Sequence, residues 1–158
     1  MKPTISAVAA ALMIAITGPA PAEIPAPYPG TKIIKTSIAY GKLIKRLDKA
    51  VKANKMGLVT RASATMGARS LGIEIPGNMV IGVFAPKFAV RMLKASVAAG
   101  IEAPLRFYIT EQPSGKSTLT YRLPSSTFAP YGSKDLDKMA RELDRIFARI
   151  VKQTLGTR

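Results

Sequence analysis

Two short runs near residue 110 alternate apolar and polar side chains with a period of two. Leu105, Phe107 and Ile109 alternate with Arg106, Tyr108 and Thr110. After Gln112-Pro113-Ser114-Gly115-Lys116, Leu119, Tyr121 and Leu123 alternate with Thr118, Thr120 and Arg122. Successive side chains of a strand point to opposite sides, so each run has one core face and one polar face. Joined by a Pro/Gly turn, the two runs form an antiparallel hairpin.

The flanking sequence supplies further strands and helices. A β-branched run with Ile33, Ile34 and Ile38 predicts a strand over 31–38. Residues 41–55 switch to helical spacing, with Leu43, Ile44, Leu47, Ala50 and Val51 on one face and Lys42, Lys45, Lys49 and Lys52 on the other. Gly57 stands near the expected C-terminal end of that helix. A strand follows over 58–62, then an irregular stretch over 63–78 with one helical turn around Met66 to Leu71. Met79 to Ala85 is an unbroken apolar run of strand length, as expected of a central buried strand. Pro86 stops it, and Val90, Leu93 and Val97 recur at helical spacing within a short helix over 88–98. Residues 124–132 read as a Ser/Pro/aromatic loop. Ser133 is the N-cap of a last helix that runs to about Thr154, with Asp135 and Asp137 in its first turn and Gly156 closing it. Its apolar stripe comprises Leu136, Met139, Ala140, Leu143, Ile146, Phe147, Ile150 and Val151.

The N-terminus reads as a secretory signal over residues 1–22. Lys2 is followed by an apolar stretch from Ile5 to Ile16, a Gly18-Pro19 break and small residues at Ala20 and Ala22. The apolar stretch is short for a bilayer core of roughly 30 Å. An uncleaved anchor or a buried helix is the alternative. Residues 23–30 carry three prolines and form an extended linker. The remainder, 31–158, is a single α+β domain, and the compartment expected is periplasmic or extracellular. No transmembrane span is expected after cleavage.

Composition narrows the chemistry. The chain has no histidine and no cysteine, and 24 Lys+Arg against 9 Asp+Glu. A histidine general base, a Ser-His-Asp or Cys-His nucleophile and a Cys/His zinc site are therefore excluded. Without disulfides the fold rests on packing alone. The formal charge is +15, or +14 once Lys2 leaves with an acid-free signal. Such a charge favours polyanionic partners: anionic lipid, polysaccharide, an acidic protein, or nucleic acid bound without specificity.

Candidate sites follow from position and charge. Arg106, Tyr108 and Arg122 share the polar side of the hairpin, and Tyr131 lies in the neighbouring loop. Arginine with tyrosine on a sheet face suits carboxylates, phosphates or stacked rings, but the same face suits a homodimer contact. Arg141, Arg145 and Arg149 form a basic stripe at i,i+4 spacing, partly offset by Glu142 and Asp144. Gly115-Lys116-Ser117 resembles the end of a phosphate-binding loop. Thr110 stands where that loop needs its first glycine, however, and the surroundings are a hairpin. The five methionines beyond the signal (Met56, Met66, Met79, Met92, Met139) are expected to fill the core. No acid cluster suits a metal, no cofactor is implied, and Ser125 and Ser126 have no evident lysine partner for catalysis.

The order of motifs resembles the domain-of-unknown-function 302 family. The resemblance starts at Lys42 and rests on Met56-Gly57-Leu58-Val59, Val80-Ile81-Gly82-Val83-Phe84-Ala85-Pro86-Lys87 and Ala103-Pro104-Leu105-Arg106-Phe107-Tyr108-Ile109-Thr110-Glu111. Thr120-Tyr121-Arg122-Leu123-Pro124-Ser125 and Phe128-Ala129-Pro130-Tyr131-Gly132 look like its exported proteobacterial branch. The likeness spans residues 31–154. It implies an α+β sandwich resembling the TATA-binding-protein fold, an antiparallel sheet with two main helices packed on one face. Members often carry cysteines in Cys-x-Pro and Pro-Cys positions. The matching segments here are Phe84-Ala85-Pro86 and Pro104-Leu105, so no thiol or metal role carries over. The expectation is an uncharacterised exported, non-enzymatic domain that binds an anionic small molecule or an anionic surface. The alternative is a homodimeric interaction protein that uses the sheet face.

Overall fold

The computed structural model describes residues 28–156. The segment read as a secretory signal, 1–22, and linker residues 23–27 lie outside the described residues. In chain order the elements are β1 (Thr31–Ala39), α1 (Tyr40–Ala53), β2 (Gly57–Ala62), α2 (Ala64–Ser70), β3 (Asn78–Phe84), α3 (Pro86–Ala95), β4 (Leu105–Glu111), β5 (Lys116–Arg122), α4 (Pro124–Phe128) and α5 (Lys134–Leu155). Short 3-10 turns at Ala98–Glu102 and Ala129–Tyr131 complete them. The five strands form one antiparallel sheet in the order β1-β5-β4-β3-β2. The chain is thus α+β, and β1 and β2 form the two borders of the sheet. Helix α1, which links them, crosses beneath the sheet beside α5.

The hairpin β4–β5 closes as its turn residues require. Gln112 accepts from the Gly115 amide at 2.8 Å and donates to the Lys116 carbonyl at 2.8 Å, with Gly115 at φ +73°. Pro113 fits the second turn position, and a glycine meets the positive φ without a Cβ penalty.

The core lies between the inner sheet face and the helices. Ile81, Val83, Phe107, Ile109 and Leu119 meet Leu43, Leu47, Ala50 and Val51 of α1, and all eight apolar stripe residues of α5 are buried. Phe107 stacks on Phe147 with ring centroids 4.7 Å apart, and Tyr121 tilts against both. Ser133 caps α5 by accepting from the Leu136 amide, and Asp135 and Asp137 occupy its first turn.

Several local expectations are corrected. Helix α1 does not end on Gly57, which begins β2. Its last carbonyls are instead closed by Lys55 N–H to Lys52 O (3.0 Å) and Met56 N–H to Val51 O (3.1 Å), with Lys55 at φ +57°. The irregular stretch holds a full helix, α2, whose N-cap Ser63 accepts from the Met66 amide. The expected loop 124–132 contains α4 and a 3-10 turn, because Pro124 occupies a first-turn position where its missing N–H costs nothing. Asp144 accepts from the Ser125 amide at 3.0 Å and holds that helix's start. Helix α3 starts at Pro86 and ends at Ala95. Its buried residues are Phe88 and Met92, and Val90, Leu93 and Val97 face solvent. Met66 is likewise exposed rather than core-filling, while Met56, Met92 and Met139 are buried and Met79 packs at the core's margin.

Candidate functional site

The strand register sorts the outer sheet face into rows. One row runs Ile33–Thr120–Tyr108–Val80–Ala62. The row beside it pairs Thr31 with Arg122, Arg106 with Gly82, and Gly82 with Thr60. Phe107 faces Tyr121, and Arg106 and Arg122 are the next residues toward the same end of the sheet. The alternation that buries Phe107 and Leu119 thus sets both guanidiniums on the outer side. The segment returning from α3 reaches this end over Gly82, where a Cβ would collide with Thr60 and Pro104. It brings Glu102 to the rim.

Arg106 and Arg122, with Glu102, Leu105 and Thr127, line a cleft of about 60 Å³. A nucleotide-sized ligand, which needs a pocket of several hundred Å³, could place only a terminal group there. The Arg122 Nε is buried and has no hydrogen-bond acceptor among the described residues. Its guanidinium carbon lies over the Tyr28 ring, 5.1 Å from the centroid. Tyr131 donates to Glu102 Oε1 at 3.0 Å, and burial together with that bond pushes its phenol above the ordinary tyrosine value. The cleft therefore presents two cationic donors and one carboxylate already bonded on one side.

Three of the four residues singled out on the hairpin and its neighbouring loop therefore meet here, Tyr131 by way of Glu102. Tyr108 does not. It lies on the same sheet face but opens onto a separate shallow groove lined by Ala62, Ser63, Ala64, Asn78 and Val80. Its row leaves Ile33 43% and Tyr108 40% exposed. Sequence reasoning missed Glu102, Thr127 and Tyr28. None stands in a periodic pattern: Glu102 ends a 3-10 turn, Thr127 sits in the short helix α4, and Tyr28 lies just ahead of β1.

The stripe Arg141, Arg145 and Arg149 is exposed along the outside of α5. The acids expected to offset it are bonded to other partners, although the charge of Glu142 also acts on Arg145. Both oxygens of Glu142 accept from Arg91 at 2.8 Å, which holds the Glu142 carboxyl below its ordinary value, and Asp144 is committed to Ser125. Arg149 donates to Asn54 Oδ1 at 3.2 Å, tying the end of the stripe to the end of α1. Among the described residues no group of three potential metal ligands occurs, and no helix is long and apolar enough to cross a membrane.

A family model described as "Domain of unknown function DUF302" matches residues 33–154. No curated protein matches the chain. Among solved structures, the chain is similar to the crystal structure of an uncharacterized conserved DUF302 protein from Bacillus stearothermophilus. The TM-score is 0.71 at 17% identity, covering 79% of this chain and 98% of that one. At that identity the likeness speaks for the fold alone.

Proposed function

We propose, for a chain that belongs to the DUF302 family of domains of unknown function, a non-enzymatic role in binding a small anion at the Arg106–Arg122 cleft. The observation that carries the reading is the buried Arg122 Nε, which has no acceptor among the described residues, opposite a second arginine. A buried donor left unpaired costs about 1–3 kcal/mol, and a bound oxyanion removes that cost with charge-assisted bonds. Glu102 refines the chemistry. A ligand that offers a donor as well as acceptors suits the cleft better than a fully ionised one. Hydrogen phosphate, or the terminal phosphomonoester of a larger molecule, has both.

The reading includes export. The segment 1–22 carries the features of a cleaved signal, and the later motifs resemble the family's exported branch. The mass of the chain recovered from the producing cell tests this, with a start at Glu23 expected.

The binding test is calorimetric titration of the full chain with inorganic phosphate, with sulfate as a comparison. Saturable heat is expected, stronger for phosphate, and absent in Arg106→Met and Arg122→Met. Equal heats in both variants and the parent would refute the site.

A second reading is a homodimer through the sheet face, favoured by the outer row in which Ile33 and Tyr108 are exposed and Thr120 and Val80 half-buried. Sedimentation at micromolar concentration distinguishes it. A doubled mass that reverts to monomer in Tyr108→Glu supports it, and a strict monomer eliminates it.

A further inference from the structure

Helix α3 buries Phe88 and Met92 and leaves a ridge of large apolar side chains in solvent. Val90 is 68% exposed, Leu93 46%, Val97 79% and Ile101, in the following 3-10 turn, 82%. Leu93 Cδ2 lies 3.1 Å from where a Cβ on Gly100 would sit, so helix and turn meet there. Single exposed apolar residues are ordinary, but four along one ridge mark a contact surface. Pro86–Ala95 carries Lys87, Arg91 and Lys94 and no acid. Arg91 is paired with Glu142, while Lys87 and Lys94 are exposed beside the ridge.

We propose that this ridge seats in the headgroup–acyl boundary of a bilayer rich in anionic phospholipid. The apolar side chains supply the partition, and the lysines supply attraction to acidic headgroups, the two terms that hold interfacial helices to membranes. The chain's net charge of +15 draws it to such a surface. A second copy fits less well, because it would set Lys87 and Lys94 against their own like charges. A protein partner fits less well too. The ridge offers four side chains, against the roughly 20–30 residues a side of a stable protein interface. A bilayer demands no complementary shape. The inference is independent of the anion cleft, since neither Arg106 nor Arg122 belongs to the ridge.

The absence of cysteine makes the test site-specific. In the full chain, Val97→Cys and Ser114→Cys (in the exposed hairpin turn) are each labelled with an environment-sensitive fluorophore. Vesicles of phosphatidylglycerol and phosphatidylcholine are then added, with pure phosphatidylcholine as control. The expected result is a blue shift at position 97 and none at 114, on anionic vesicles only. Ile101→Glu in the Val97→Cys background should weaken that partition by about tenfold or more. Arg122→Met in the same background should leave the blue shift in place. A label at 97 that stays in water overturns the proposal, as does equal insertion into neutral vesicles. A blue shift that depends on protein concentration rather than lipid assigns the ridge to a second copy and also overturns it.

Discussion

Arg122 sets stability against binding, and replacing it should separate the two. The variant is Arg122→Met, which keeps most of the apolar stem and removes the guanidinium. Removing a buried donor that lacks an acceptor among the described residues returns about 1–3 kcal/mol. Removing a like charge from the position facing Arg106 returns roughly 0.2–1 kcal/mol more. Against this stands the loss of the guanidinium's contact with the Tyr28 ring, worth about 0.5–1 kcal/mol at a half-exposed site. The balance favours the variant by about 0.2–3.5 kcal/mol, with roughly 3–5 °C of Tm expected per kcal/mol for a domain of this size. The assay is urea and thermal unfolding in phosphate- and sulfate-free buffer, repeated with phosphate. In anion-free buffer the variant should be the more stable protein. With phosphate the order should narrow or reverse, because only the parent gains from the ligand. A variant that loses more than about 1 kcal/mol in anion-free buffer would show that the guanidinium is a structural support, and the reasoning would fail.

Lys55 adopts a left-handed backbone at the end of α1, where glycine carries no Cβ penalty. Lys55→Gly should stabilise the domain by about 0.5–1 kcal/mol in urea titrations, less whatever the lysine contributes at the helix end. Phe147→Ala removes a fully buried ring stacked on Phe107 and should cost about 3–5 kcal/mol by the same assay. Glu142 has a folded-state pKa below its unfolded one because Arg91 bonds its ionised form. Its contribution is present above the unfolded carboxyl pKa and is lost as pH falls through the folded one. The Tm difference between the parent and Glu142→Gln should therefore be largest near pH 7 and vanish on acidification.

Where side chains were periodic and their partner layer was the core, the sequence was a sufficient guide. Every apolar residue of the α5 stripe is buried, and the hairpin turn falls on Gln112 to Gly115. Period alone located α3 but did not identify its buried face. The Val90, Leu93 and Val97 spacing is helical, but Phe88 and Met92 lie on the opposite side and are larger, and the core takes the larger pair. Burial is decided by which neighbours are in reach, and those come from β3, α4 and α5, remote in sequence. The same limit governed the cleft. Arg106 and Arg122 could be placed on one face because a hairpin's register is local. Glu102 enters from a turn between α3 and β4, and the gap between Tyr108 and the cleft depends on two further strands.

The sheet order has a bearing on how the chain comes to fold. The segment made first, from β1 to β2, lays down both borders of the sheet, and the three inner strands follow it. An emerging chain holds two margins with nothing between them, and no hydrogen-bonded pair can form until β3 arrives. The α1 side chains Leu43 and Leu47 must wait longer still for Phe107, Leu119 and α5. Sheet closure thus depends on contacts far apart in sequence, which slows folding and delays it until nearly all of the domain has been made. A nascent chain with that timetable stays unfolded for most of its synthesis, the condition in which a polypeptide can still be threaded through a narrow channel.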